Sequence, residues 1–204
     1  MKLLILLLIF LIEGFISYCQ TLNLANLSSE FNYTITVYRN ERKDSSERLL
    51  SLSIMIKDKK NHILQSIKPN VDDWTLFKGS FKDAGNTRSY ITHYNKEKAV
   101  LDNDYGDFVV ADFNFDGKGD FAIKRDFGGA SGPLYSFYIM KDDGRFYLDD
   151  YLTNTVALFP GKINSKTKTI SVWQIVGYVG VDEMIYQYVT KAKIWKLKEV
   201  IKHR

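Results

Sequence analysis

Short runs of alternating or β-branched residues, cut by Gly, Asp, Asn or Pro at intervals of about eight to twelve residues, recur along most of this chain, and that rhythm admits few folds. Phe31–Arg39 and Leu50–Ile56 are strand-like, separated by the polar loop 40–47. His62–Ile67 follows and is ended by Lys68-Pro69-Asn70, because proline cannot donate to a ladder. Residues 70–104 carry the weakest pattern: Trp74, Phe77 and Phe81 are candidate core anchors, a short helix fits near Val71–Phe77, and Lys82–Ser89 is expected to be a polar loop. From Phe108 the pattern sharpens into Phe108–Ala111, Phe121–Lys124, Tyr135–Met140 and Phe146–Leu148, then Thr169–Val176, Met184–Val189 and Ile194–Val200. Asp143-Gly144 between two aromatic runs is a hairpin signal. Thirteen Tyr and thirteen Phe against three Pro support the same conclusion, since aromatic side chains pack well on a pleated, half-buried surface. The expectation is a mainly all-β fold, a single antiparallel β-sandwich or barrel-like domain over residues 20–204, with no linker or low-complexity tract inside it.

Residues 1–19 read differently. Lys2, the apolar run Leu3–Ile12 and the small residues Ser17 and Cys19 have the three-part build of a secretory signal peptide cleaved before Gln20. The run is too short for a permanent span, which needs about 20 apolar residues, and Glu13 interrupts it. A lipoprotein anchored through Cys19 is the rival, disfavoured by the bulky Tyr18 immediately before the thiol. Export to the periplasm, cell surface or medium is the expectation.

One motif is sharp. Asp112-Phe113-Asn114-Phe115-Asp116-Gly117-Lys118-Gly119-Asp120 is D-x-N-x-D-G-x-x-D, the first nine positions of an oxygen-ligand calcium loop. A hard dication wants six to eight oxygens at about 2.3–2.6 Å. Side chains spaced by two at Asp112, Asn114 and Asp116 can converge on one centre while Gly117 permits the sharp turn. Lys118 would contribute its backbone carbonyl, with its ammonium pointing away, and Asp120 closes the loop. Asp102, Asn103, Asp104 and Asp107 lie just upstream and could supply a missing ligand, against the simpler reading of solvated turn side chains. The twelfth position, a bidentate Glu in an EF-hand, is Ile123, so the loop is not an EF-hand. Its strand–loop–strand context resembles the calcium loops of integrin-like propeller repeats, although only one complete copy is present. The bland alternative is turn chemistry alone; against it, three carboxylates in this register repel one another without a cation.

Taken together with Phe127-Gly128-Gly129, Ser131-Gly132-Pro133-Leu134-Tyr135-Ser136-Phe137-Tyr138 and Asp143-Gly144-Arg145-Phe146, the motif resembles a family of small exported bacterial calcium-binding proteins over about residues 105–200. Phe159-Pro160, Asn164–Ile170, Tyr186-Gln187-Tyr188 and the Lys-rich closing segment add to the likeness. One branch of that family consists of immunity proteins against a secreted, lysozyme-like peptidoglycan hydrolase, with a β-sandwich related to periplasmic lysozyme inhibitors. The resemblance implies calcium as the cofactor and a peptidoglycan hydrolase as the partner. It also implies an inhibitory loop that enters the enzyme cleft, made here of Gly128, Gly129, Ser131, Gly132 and Tyr135. The family's Ser-Gly-x-Tyr pattern departs here by one extra residue before Tyr135. Lys124 and Arg125 nearby could face an acidic cleft. The alternative is a structural or adhesive surface module in which calcium serves rigidity only.

Other classes have less to stand on. One Cys and three His exclude a disulfide framework, a Cys-based zinc site and a Cys–His nucleophile pair. No G-x-S-x-G, P-loop, dinucleotide glycine string or H-E-x-x-H is present. Asp149/Asp150 and Asp182/Glu183 are neighbours that would point to opposite faces of a strand, so neither pair is a glycosidase dyad. No enzymatic activity is expected. A net charge of +4 from 28 basic and 24 acidic residues is no nucleic-acid footprint, and the interleaved lysines 191–198 read as one wet face of a strand.

Overall fold

The computed structural model of the chain describes residues 16–41, 49–77, 79–95, 106–178 and 180–203. The apolar run Leu3–Ile12 and the upstream Asp102, Asn103 and Asp104 lie outside them, as do the side chains of Trp74 and Phe77. Among the described residues no helix is long and apolar enough to cross a membrane.

The elements in chain order are β1 (Ile16–Leu24), β2 (Phe31–Glu41), β3 (Leu49–Asp58), β4 (Ile63–Ile67), the short α1 (Asp73–Phe77), β5 (Thr87–Ser89), β6 (Phe108–Ala111), β7 (Asp120–Gly129), β8 (Gly132–Met140), β9 (Phe146–Leu148), β10 (Lys162–Asn164), β11 (Thr169–Val176), β12 (Gly180–Val189) and β13 (Ile194–His203). The chain is mainly β, as its rhythm predicts. The strands form three sheets: the antiparallel meander β1-β2-β3-β4, the central sheet β5-β6-β7-β8-β9, and the antiparallel β10-β11-β12-β13.

This is not a single sandwich. Alternate residues of the central strands face two different cores. Phe108 and Val110 of β6, Phe121 and Ile123 of β7, and Tyr138 and Met140 of β8 pack with Tyr33, Ile35, Ile54 and Ile56 of the N-terminal sheet. Their neighbours Val109, Ala111, Ala122, Phe137 and Ile139 pack with Ile170, Val172, Tyr186 and Trp195 of the C-terminal sheet. Both faces of the central sheet are therefore covered, which explains why Phe108–Ala111 is an unbroken apolar run instead of an alternating one. Phe121 anchors the first core, stacked between Phe108 at 5.0 Å and Tyr138 at 4.8 Å, with Phe146 at 5.1 Å. Each such ring pair adds about 0.5–1.5 kcal/mol beyond the burial of its area.

Three elements depart from expectation. Thr87–Ser89, expected inside a polar loop, is the buried edge strand β5, and it pairs parallel to β6, so the fold is not wholly antiparallel. β1 begins at Ile16 and pairs with β2 from Ile16↔Glu41 to Leu24↔Tyr33, so cleavage before Gln20 would remove four residues of a formed ladder. Tyr151–Val156 forms a single π-helical turn, whose start Asp149 satisfies by accepting from Leu152 N–H at 2.8 Å. The Asp143-Gly144 turn does close β8 on β9, with Gly144 at φ 73° and Lys141 N–H donating to the Arg145 carbonyl.

Candidate functional site

The Asp112–Asp120 loop joins β6 to β7 at one end of the central sheet, and its backbone is turned by its own carboxylates. Asp112 accepts from Asp116 N–H through Oδ1 at 3.1 Å and from Gly117 N–H through Oδ2 at 3.0 Å. Asp116 Oδ1 accepts from Lys118 N–H at 2.8 Å. Asn114 accepts from Asp116 N–H through Oδ1 and donates its Nδ2 to Asp116 Oδ2 at 3.0 Å. Gly117 takes φ 85° where the turn needs it, and Phe115 is held at φ 60° with its ring 6.0 Å from Trp195. The Lys118 ammonium points away from the loop, as the spacing predicts, and pairs with Asp142 at 2.9 Å.

Asp120 is the unusual member. It is fully buried at the first position of β7, opposite Ala111 of β6. Oδ2 accepts from Phe113 N–H at 2.9 Å and Oδ1 from Met140 N–H at 2.9 Å, so one carboxylate ties the loop to β8. Burial pushes its pKa up to about 8; those two hydrogen bonds pull it down, and the charges of Asp116 and Asp112 push it further up. Burial likewise raises Asp112, with the Asp116 charge adding to it. Among the described residues no three His, Cys, Asp or Glu side chains converge as a ready metal cluster. The loop's carboxylate oxygens are engaged by its own backbone N–H groups. The donor set of three carboxylates, one amide and one carbonyl is nonetheless all hard oxygen, the chemistry calcium takes.

Asp107 is not a reserve ligand. It is buried, accepts from Phe81 N–H at 2.7 Å and pairs with Lys124 at 2.8 Å. Lys124 is therefore a buried ion-pair partner and not a surface cation awaiting an acidic cleft, while Arg125 donates to the Thr153 carbonyl at 3.0 Å.

The second candidate site divides. β7 and β8 extend so far that only Ala130 and Ser131 remain between them, and Phe127–Ala130 is exposed. Gly128, at φ 63°, crosses so close to Gly132 that a Cβ would sit 2.0 Å from its carbonyl oxygen. Gly132 lies at φ 100°, and Ser131 Oγ accepts from Ile175 N–H at 2.9 Å, which docks the tip on β11. Tyr135 does not belong to this loop. It is fully buried in β8, stacks edge-on against Phe159 at 5.3 Å and donates its hydroxyl to the Gly106 carbonyl at 2.7 Å. Strand alternation beneath a fully covered face sends that ring inward, so it cannot touch a partner. The tip and the Asp112–Asp120 loop stand at opposite ends of β7, roughly 25–30 Å apart at strand rise.

Sequence reasoning missed a groove of about 1040 Å³ beside the loop, lined by Asn114–Asp116, the β8–β9 turn, Asp149–Tyr151 and residues of β12 and β13. Its parts are far apart in the chain, and only the clustering of Asp142, Asp143, Asp149 and Asp150 hinted at it.

Compared with protein-family models, with curated proteins and with solved structures, the chain matches none.

Proposed function

We propose that this chain is an exported, non-catalytic, calcium-binding β protein that engages a protein partner, most concretely as an immunity-like inhibitor of a lysozyme-like peptidoglycan hydrolase. The observation that carries the calcium part is Asp120: a fully buried carboxylate beside two others, with no ammonium against it among the described residues, closing a loop of oxygen donors spaced as D-x-N-x-D-G-x-x-D. A dication held by Asp112, Asn114, Asp116, the Lys118 carbonyl and Asp120 would relieve that repulsion and pin β6 to β7. The ion's role is structural, because nothing in the loop presents a second reacting group. The partner part is supported by the exposed stretch Phe127–Ala130 and the half-buried Ser131, braced by Gly128, Gly132 and the Ser131–Ile175 bond. The burial of Tyr135 confines that contact to the tip.

The burial also favours the second reading, a surface module in which calcium provides rigidity alone. Thermal unfolding with calcium and with chelator, beside Asp112→Ala/Asp116→Ala, tests the ion. At a hundred times Kd, calcium should add about 2.7 kcal/mol to the parent and nothing to the variant; equal midpoints in all four samples refute the calcium site. Hydrolase inhibition that survives Phe127→Ala and Ser131→Ala would remove the tip from the mechanism.

A further inference from the structure

The groove beside the Asp112–Asp120 loop has a charge opposite to that of the molecule around it. Five carboxylates and three ammonium groups line it, in a chain whose net charge is +4. All three ammoniums are already held by groove partners. Lys118 and Lys193 both sit on Asp142, at 2.9 and 3.6 Å. Lys141 lies over the Tyr147 ring, 4.5 Å from its centroid, while the Tyr147 hydroxyl donates to Asp143 at 2.7 Å. The chain's own lysines thus display the two contacts this surface offers an ammonium, a carboxylate for Lys118 and Lys193 and an aromatic face for Lys141.

Asp149 and Asp150 also line the groove, and among the described residues neither forms an ion pair, although the Lys141 charge acts on Asp149 from further off. Asp149 serves the Leu152 N–H and Asp150 accepts from Asn154 Nδ2, leaving each with lone pairs for a further donor. Trp195, 5% exposed, lines the same groove against Tyr188 at 5.2 Å, and its indole N–H has no acceptor among the described residues. A buried N–H without an acceptor is costly unless a ligand supplies one.

We propose that this groove is a binding site for a Lys- or Arg-bearing peptide segment of a protein partner. Side-chain cations would extend the pattern set by Lys141 and Lys118 onto Asp149 and Asp150, and the extended segment offers backbone carbonyls as acceptors. A neutral oligosaccharide could use the rings but has no need of the excess negative charge. The inference shares a protein partner with the proposed function, yet rests neither on calcium nor on the hairpin tip.

The test is the fluorescence anisotropy of labelled hexalysine with the full chain in chelator at low and at physiological salt, beside hexaglutamate and a neutral hexasaccharide. Saturable binding of hexalysine alone is expected, weakened at least tenfold by Asp149→Asn/Asp150→Asn and unchanged by Asp182→Asn towards the other end of β12 from Tyr188. Carbodiimide cross-linking of hexalysine to the parent protein gives a readout that needs no variant, and its adducts should map to residues 142–150. Absent hexalysine binding, equal weakening by Asp182→Asn, adducts mapping elsewhere or preferential uptake of the hexasaccharide would each overturn the proposal.

Discussion

Asp120 is where the chemistry of a single residue reaches furthest. Its folded pKa of about 8 lies above the ordinary carboxylate value, so the folded state holds a proton that the unfolded chain releases near pH 4. The stability this contributes is complete below about pH 4 and is lost as the pH rises towards 8; the sign is opposite to that of a salt-bridged carboxylate. In metal-free buffer the urea midpoint of the parent should therefore fall between pH 5 and 8.5, with an integrated effect on the order of several kcal/mol. Asp120→Asn mimics the protonated form, and its midpoint relative to the parent should climb over the same window. A parent–variant difference that does not change with pH would show that Asp120 is ionised at no unusual cost. The neighbouring Lys124–Asp107 pair is the contrary case: each charge is matched, and the remaining Asp107 oxygen is spent on Phe81 N–H.

At the scale of the element, the β7–β8 hairpin is governed by where its glycines sit. The β7–β8 ladder slips between Lys124 and Asp126 and again between Asp126 and Gly129, and Gly128 occupies the second irregularity at φ 63° against Gly132. Bulges of this kind bend a strand and re-aim its end, here towards β11. Gly128→Ala should lower stability by about 1–3 kcal/mol, through its left-handed φ and the backbone it would strike. Gly129→Ala, which meets nothing within 4 Å, should stay within about 0.5 kcal/mol of the parent. Thermal midpoints decide it, and equal effects at the two positions would refute the tight crossing. The sequence marked this segment as special through its glycines, but could not show that Tyr135, at the expected start of the strand, faces the C-terminal core.

For the whole molecule, the central sheet belongs to both cores. Removing either outer sheet would expose one face of β6, β7 and β8, which carries Phe108 and Phe121 on one side and Val109 and Phe137 on the other. The two cores should therefore unfold in one cooperative transition. Hydrogen exchange at Ile170 and Val172 reports the C-terminal core, and at Ile35 and Val37 the N-terminal one; both should give the same free energy of opening. Separate transitions would mean that the central sheet survives with one face bare.

What the amino-acid sequence determined was local: where strands run, the Asp143-Gly144 turn, the turn at Gly117 and a short helix, expected near Val71–Phe77 and formed at Asp73–Phe77. Each depends on residues within a few positions of one another, so period and turn chemistry suffice to read it. The tertiary structure decided the rest. Alternation tells that a face is buried but not against what, so the stacking of three sheets was hidden, although the unbroken run Phe108–Ala111 carried its signal. β5 is three small or polar-headed residues that become a strand only because β6 lies alongside. The groove gathers Asp116, Asp149 and Trp195 from segments dozens of residues apart, and charges so separated in the chain meet only when the sheets that carry them pack.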